Sequence, residues 1–262
     1  MEEKYMKIGL LQMEVAEGDK EWNIKHAFDM LEEAVSAGAE VMVMPELWTI
    51  GYNFHDFKNR VTRINDGLLD RLSSFSSFHH VTLAAGTLPL EKDGYVKNTG
   101  LIFGSDGNIQ AHYSKRHLFY GYLESKLMAP GEHLMHTEIN GVKTGMAVCY
   151  EFYFPKMWRK MAKAGTTLVL APASWPKIHL SQWDVLTRAR AIENGICIAA
   201  VNMVGTYNGI QLGGHSRFID PTGNIEVEGD LNEHIYYAEY DKMKYKNIDK
   251  ELAVIRLEKE IQ

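Results

Sequence analysis

Three side chains that can do chemistry follow strand-like segments, two of them apolar runs and the third a hairpin strand. They are Glu46 after Val41-Met42-Val43-Met44-Pro45, Lys115 in Tyr113-Ser114-Lys115-Arg116-His117-Leu118-Phe119, and Cys149 after Gly145-Met146-Ala147-Val148. A cysteine is a nucleophile only as its thiolate, which needs a base or a positive charge beside it and open space in front. A glutamate can be that base, and a lysine ammonium can favour the thiolate and hold a developing oxyanion. Ordinary pKa values of about 4.3 for Glu and about 8.5 for Cys make the proton transfer uphill by roughly 6 kcal/mol. Burial of Glu46 and an ammonium near Cys149 would narrow that gap from both ends. Taken singly, the three have plain structural readings as a packed thiol, a solvated turn carboxylate and a solvated lysine. Cys149 departs from its plain reading because Tyr150-Glu151-Phe152-Tyr153-Phe154-Pro155 follows it, and a strand does not run into a buried glutamate without a partner for the charge.

The elements that must position these residues follow from hydrophobic period and punctuation. Strands are expected over 7–15, 40–46, 81–87, 99–105, 144–150, 167–173, 197–203 and 215–221, and helices over 23–38, 155–165 and 181–195. Strands alternating with helices predict an α/β fold with helix-covered sheets, in which strand carboxyl ends commonly carry site residues.

The chain also repeats itself. Ala37-Gly38 is followed after six residues by Pro45 and then Trp48, and Ala164-Gly165 is followed after six by Pro172 and then Trp175. A strand and a helix precede each copy, and each half later carries a Gly-Asn-Ile hairpin signal, at Gly107-Asn108-Ile109 and Gly223-Asn224-Ile225. Two similar β-α-β units with their sheets packed together give a four-layer α-β-β-α sandwich with internal pseudo-symmetry. In the aligned halves Ala173 stands opposite Glu46, Met13 opposite Cys149 and Leu231 opposite Lys115. The repeated framework therefore requires none of the three reactive side chains.

Together the three segments resemble the carbon–nitrogen hydrolases of the nitrilase superfamily, whose Glu-Lys-Cys triad hydrolyses amide or nitrile bonds. Met44-Pro45-Glu46-Leu47-Trp48, Ser114-Lys115-Arg116-His117-Leu118-Phe119 and Val148-Cys149-Tyr150-Glu151 through Pro155 are similar to its three motifs, in the same order, and Arg188 to Asn194 resembles a supporting segment. The resemblance spans nearly the whole chain and implies the same four-layer sandwich. It implies that Glu46 is the base, Cys149 the nucleophile, and Lys115 with the Tyr150 backbone N–H the oxyanion donors. The product is a carboxylic acid and ammonia, formed through a thioester without metal or organic cofactor. Glu124 matches a second glutamate that supports the lysine, and Tyr52, Tyr150 and Trp175, with Phe54, are expected as pocket wall. Amide-cleaving relatives commonly carry Asp and Arg where this chain has Glu151 and Tyr153, which removes a natural partner for a substrate carboxylate. Nitrile or N-carbamoyl amine hydrolysis and a catalytically silent scaffold are the alternatives.

Bulk properties fit small-molecule chemistry. The 262 residues, 45% hydrophobic and 24% charged, suffice for a single domain over 1–262 with a charged C-terminal tail or arm from about 241 to 262. A net charge of -6, spread along the chain, argues against a nucleic-acid or anionic-membrane partner. Two cysteines in apolar runs, and no spanning apolar segment or signal peptide, predict a cytoplasmic protein. Family resemblance predicts a homodimer or larger homo-oligomer. The eleven histidines include Glu132-His133-Leu134-Met135-His136, which lacks the spacing of a metal-binding H-E-x-x-H helix, so no metal is expected. A histidine acting as base towards the thiol is the rival enzyme chemistry.

Overall fold

The computed structural model describes residues 5–121 and 123–246, in which two sheets pack together between two helical layers. The first sheet holds β1 (Tyr5–Gln12), β2 (Val41–Val43), β3 (Thr62–Arg63), β4 (Thr82–Lys92), β5 (Tyr95–Phe103), β6 (Ile109–Ser114) and β15 (His234–Asp241). The second holds β7 (His136–Ile139), β8 (Val142–Met146), β9 (Leu168–Pro172), β10 (Cys197–Val201), β13 (Arg217–Ile219) and β14 (Ile225–Glu228). A separate hairpin joins β11 (Thr206–Tyr207) to β12 (Ile210–Gln211). The helices are α1 (Lys20–Ser36), α2 (Phe57–Arg60), α3 (Leu68–His79), α4 (Glu124–Leu127), α5 (Pro155–Lys163), α6 (Leu180–Asn194) and α7 (Lys242–Lys246).

The period-2 pattern sorts the first sheet into two faces. Met6, Ile8, Leu10, Val41 and Val43 enter the core shared with Met146, Leu168, Leu170 and Ile198 of the second sheet. Leu11, Met42 and Met44, one residue out of phase, pack on Ala27, Met30 and Leu31 of α1 and on Leu72 of α3. On the far side, α5 and α6 contribute Met157, Trp158, Met161, Trp183 and Ala191 to the second sheet's core. Helix α1 starts where the Asp19 side chain accepts the Trp22 N–H, and α5 starts with Pro155, which has no N–H to lose.

The repeat is present in the strand order. The first sheet runs β15-β1-β2-β4-β5-β6 and the second, read the same way, β7-β8-β9-β10-β13-β14. In each, an antiparallel edge strand precedes three parallel strands and an antiparallel pair. The register agrees residue by residue: Gly9 pairs with Met42 and Gly145 with Val169, at equivalent positions of the two copies. The Gly-Asn-Ile signals close the β5–β6 and β13–β14 hairpins.

Three readings change. Residues 68–79 form α3, whose buried Leu68, Leu69, Leu72, Phe75 and Ser76 follow the helical period. The strand expected over 144–150 ends at Met146, because Cys149 has a left-handed φ of 48° and opens a one-turn 3₁₀ helix, Cys149–Tyr153. Of the tail, Asp241 ends β15 and Lys242–Lys246 form α7, while 247–262 lie outside the described residues. Among the described residues no helix is long and apolar enough to cross a membrane, and no group of three or more His, Cys, Asp or Glu could hold a metal.

Candidate active site

The segments after β2, β6 and β8, with the start of α4, bring Glu46, Lys115, Cys149 and Glu124 together. Glu46 leaves β2 through Pro45, and its turn packs on β4. Thr87 N–H donates to Pro45 O at 3.1 Å, and Leu47 N–H donates to Thr87 Oγ1 at 2.9 Å. Between these contacts Gly86 takes φ of 58°, and a Cβ there would lie 2.0 Å from Pro45 O, so only glycine admits the turn this closely. Lys115 follows β6, its backbone N–H donating to Asn98 O at 2.8 Å. Its carbonyl accepts from Gly131 N–H at 2.8 Å, and a Cβ on Gly131 would meet Ser114 O at 2.0 Å. Glu124 opens α4 and accepts the Phe119 N–H at 2.8 Å.

The side chains converge on one buried ammonium. Lys115 Nζ lies 2.8 Å from Glu46 Oε1 and 3.1 and 3.0 Å from the two oxygens of Glu124, with all three side chains inaccessible to solvent. Tyr52 joins this cluster, donating from its hydroxyl to Glu46 Oε1 at 2.9 Å and accepting from Lys115 Nζ at 3.3 Å. Asn98 Nδ2 donates to Glu46 Oε1 at 2.9 Å and to Glu124 Oε1 at 2.7 Å. Glu46 Oε2 is buried and has no hydrogen-bond partner, and the Cys149 thiol is near enough to pull the pKa of this carboxylate down. The Ser174 backbone also acts on that sulfur, pulling the thiol's pKa down.

Protonation states follow from burial and charge. Two carboxylates share one ammonium, and burial, then the Glu124 charge, raise the pKa of Glu46 against the opposing pull of Lys115. Burial alone would lower Lys115, but Glu124 and Glu46 overcome it and hold its pKa above the ordinary value. Cys149 is pushed well up by burial and by Glu46, more than Lys115 lowers it. Cys149 therefore rests as a thiol and Lys115 as an ammonium, and Glu46 is the group whose proton affinity burial has raised. This corrects the expected narrowing from both ends: Glu46 moves towards Cys149, but Cys149 does not move towards Glu46. Burial and the Glu46 charge likewise contribute to raising Tyr52, which stays a donor.

Cys149 sits at the head of its helical turn, in a conformation that costs a non-glycine residue about 1–3 kcal/mol. The turn is held by Glu151, whose fully buried carboxylate has the partners that a charge there requires. Its Oε2 accepts Val148 N–H at 2.8 Å, and its Oε1 accepts Tyr113 Oη–H, Arg116 N–H and His117 N–H at 2.7, 2.9 and 3.2 Å. One side chain thus ties the backbone before Cys149 to the backbone after Lys115.

The aromatic residues lie around this centre. Tyr150 packs on Phe119, Tyr153 and Phe154, and the Trp175 ring stacks on Tyr153 with centroids 5.6 Å apart. Tyr52 packs edge-on to Phe54 and Tyr207, and Tyr207 Oη–H donates to Tyr52 O. The turn carrying Ser174 and Trp175 is fastened by Asn202, which accepts Trp175 N–H at 2.6 Å and donates to Trp175 O at 3.1 Å.

Sequence reasoning missed Asn98, Ser174 and Asn202. A polar amide inside the β5 pattern was a signal for Asn98; the Ser174 contribution comes from its backbone, which no side-chain type announces.

The geometry agrees with what the chain resembles. The carbon-nitrogen hydrolase family model matches residues 7–248. The chain is 33% identical to the 2-oxoglutaramate amidase of Bacillus subtilis (strain 168), over 94% of this chain and 95% of that one. A CN-hydrolase superfamily protein of Xanthomonas campestris, solved with an arsenic adduct in its active site, superposes with a TM-score of 0.89 at 26% identity, covering 96% of each chain. An amidase variant from Nesterenkonia sp. AN1, carrying the acetamide moiety of fluoroacetamide covalently on its active-site cysteine, superposes with a TM-score of 0.83 at 27% identity, covering 92% of each chain. With a family match over nearly its whole length, and with that fold, the chain belongs to the carbon-nitrogen hydrolase family and is a hydrolase of C–N bonds.

Proposed function

We propose that the substrate is a small amide, cleaved to a carboxylic acid and ammonia through a thioester on Cys149. The observation that carries this reading is the division of labour on Glu46. Oε1 is occupied by Lys115, Tyr52 and Asn98, while Oε2 is buried with no hydrogen-bond partner and the Cys149 thiol lies near enough to influence the same carboxylate. Glu46 takes the thiol proton as Sγ attacks the amide carbon, and the resulting oxyanion is held by Lys115 Nζ and the Tyr150 N–H. The C–N bond breaks as Glu46 returns the proton to the leaving nitrogen, releasing ammonia. Water, deprotonated by Glu46, attacks the thioester, and the C–S bond breaks as the sulfur regains a proton. Lys115 remains an ammonium throughout, since its pKa is raised. Glu124 positions Lys115, and Tyr52, Tyr150 and Trp175 form the substrate wall. The amidase relatives support the substrate class, and the covalent adduct on the Nesterenkonia cysteine supports a cysteine as the nucleophile.

The test is ammonia release from simple amides, 2-oxoglutaramate, N-carbamoyl amines and nitriles, with Cys149→Ala as control. Cysteine-dependent release from an amide is expected. Release only from a nitrile or a carbamoyl amine would replace the substrate class, and silence across the panel with slow thiol alkylation would favour a scaffold.

The remaining features belong to the same reading. Residues 1–262 act as one domain. The protein forms a homodimer or larger homo-oligomer, supported by exposed Ile178, Val185 and Ile192, seven residues apart along and just before α6. A cytoplasmic setting is supported by Cys149 and Cys197, both free and buried. Light scattering of the purified protein checks the assembly.

A further inference from the structure

Asn98 carries its side chain into the site from β5 and is completely buried. Its amide nitrogen has two hydrogens, and each goes to a different carboxylate, Glu46 Oε1 at 2.9 Å and Glu124 Oε1 at 2.7 Å. The orientation is dictated by chemistry: turned over, Asn98 Oδ1 would face two ionised oxygens that can only accept. The cost of this placement is visible, because Oδ1 is buried with no hydrogen-bond partner. The same residue's carbonyl accepts the Lys115 N–H at 2.8 Å. One asparagine therefore contacts both carboxylates that flank the ammonium, and the backbone of the lysine that carries it.

We propose that Asn98 is a positioning residue that clamps Glu46 and Glu124 around Lys115 and directs the transferred proton to Glu46 Oε2. This rests on the amidase reading above for the role of Glu46 and goes beyond it in assigning the oxygen. A carboxylate oxygen offers two lone-pair directions, and Glu46 Oε1 already receives Lys115, Tyr52 and Asn98. A proton can add there only by expelling a donor, whereas Oε2 has room for one. Asn98 also offsets the repulsion between two carboxylates sharing one cation, so that Glu46 does not swing out of reach of the thiol.

The test compares wild type with Asn98→Leu, which keeps the branched shape and removes both donors, and with Asn98→Ser, which leaves space for water should the leucine variant fail to fold. Two readouts are taken across pH: kcat/KM for ammonia release and the rate of Cys149 alkylation by iodoacetamide. Loss of a hydrogen bond to the charged form makes the carboxylate harder to ionise. The acid limb of both profiles is expected to move up by about one pH unit. Above that limb, kcat falls roughly tenfold to hundredfold with KM changed far less. A lower folded fraction alone would scale both profiles without moving the limb, and that result overturns the proposal, as does an unchanged kcat. If wild type releases no ammonia from any amide, the amidase reading fails while the alkylation profile still tests Asn98.

Discussion

Lys115 Nζ lies 2.8 Å from Glu46 Oε1, and neither side chain reaches solvent. A buried pair of this kind gains little over an apolar replacement, because both charges have left water. Here a second carboxylate, Glu124, contacts the same ammonium at 3.0 Å. Burial raises the proton affinity of Glu46, the group that must accept one, and the Glu124 charge adds to that rise while Lys115 opposes it. The arrangement serves proton transfer more than stability.

Lys115→Met leaves two carboxylates without their cation. We expect a loss of about 3–5 kcal/mol of stability at neutral pH. The loss shrinks in acid, where the carboxylates take up protons. Urea unfolding at both ends of this range measures it, and equal losses at each pH would rule out the charge explanation. Ammonia release should fall by roughly 10²–10³-fold through loss of an oxyanion donor.

In wild type the raised pKa of Lys115 has a definite sign. The stabilisation from its pairing is complete below the unfolded value of about 10.4 and is lost as pH rises through the higher folded value. Unfolding midpoints between pH 9 and 12 should therefore begin to drop only above about pH 10. An earlier decline would assign the alkaline limit to another group.

The acid limb of kcat/KM reports Glu46, which must be ionised to accept the thiol proton. Burial and Glu124 raise its pKa, so activity should fall away above the ordinary glutamate value of about 4.3. Because the Cys149 pKa is raised well above its ordinary value, no alkaline limb from thiol ionisation is expected near neutrality. A limb at or below the ordinary glutamate value would mean that Glu46 is not the base.

Glu151→Gln tests the tie between the two loops. A glutamine oxygen can replace Oε1 for Tyr113, Arg116 and His117, but its amide nitrogen then faces the Val148 N–H, donor against donor. We expect about 1–3 kcal/mol of destabilisation and a fall in kcat larger than any rise in KM. A variant with wild-type stability and kcat would show that the tie does not position the site.

Gly86→Ala adds a Cβ 2.0 Å from Pro45 O, at a left-handed φ. The turn carrying Glu46 must move, so ammonia release should fall by at least tenfold, on the order expected when a catalytic group is misplaced by about 1 Å. A crystal structure of the variant with Glu46 in place and full activity retained would refute the account of this turn.

The chain's amino-acid order alone determined the alternating strands and helices, the duplicated β-α-β unit and the three segments bearing Glu46, Lys115 and Cys149. These depend on local period, on turn residues and on side-chain types, all present within short windows. Helix α3 is legible in the spacing of Leu68, Leu72 and Phe75. Only the tertiary structure decided that Tyr52 and Asn98 share an oxygen of Glu46, that Glu151 grips backbone 34 and 35 residues before it, and that Cys149 turns away from its strand. Hydrogen bonds between loops of different strands, and the burial that lifts Glu46 and Cys149, arise from the packing of two sheets. They are properties of distance in space, which residue spacing along the chain does not contain.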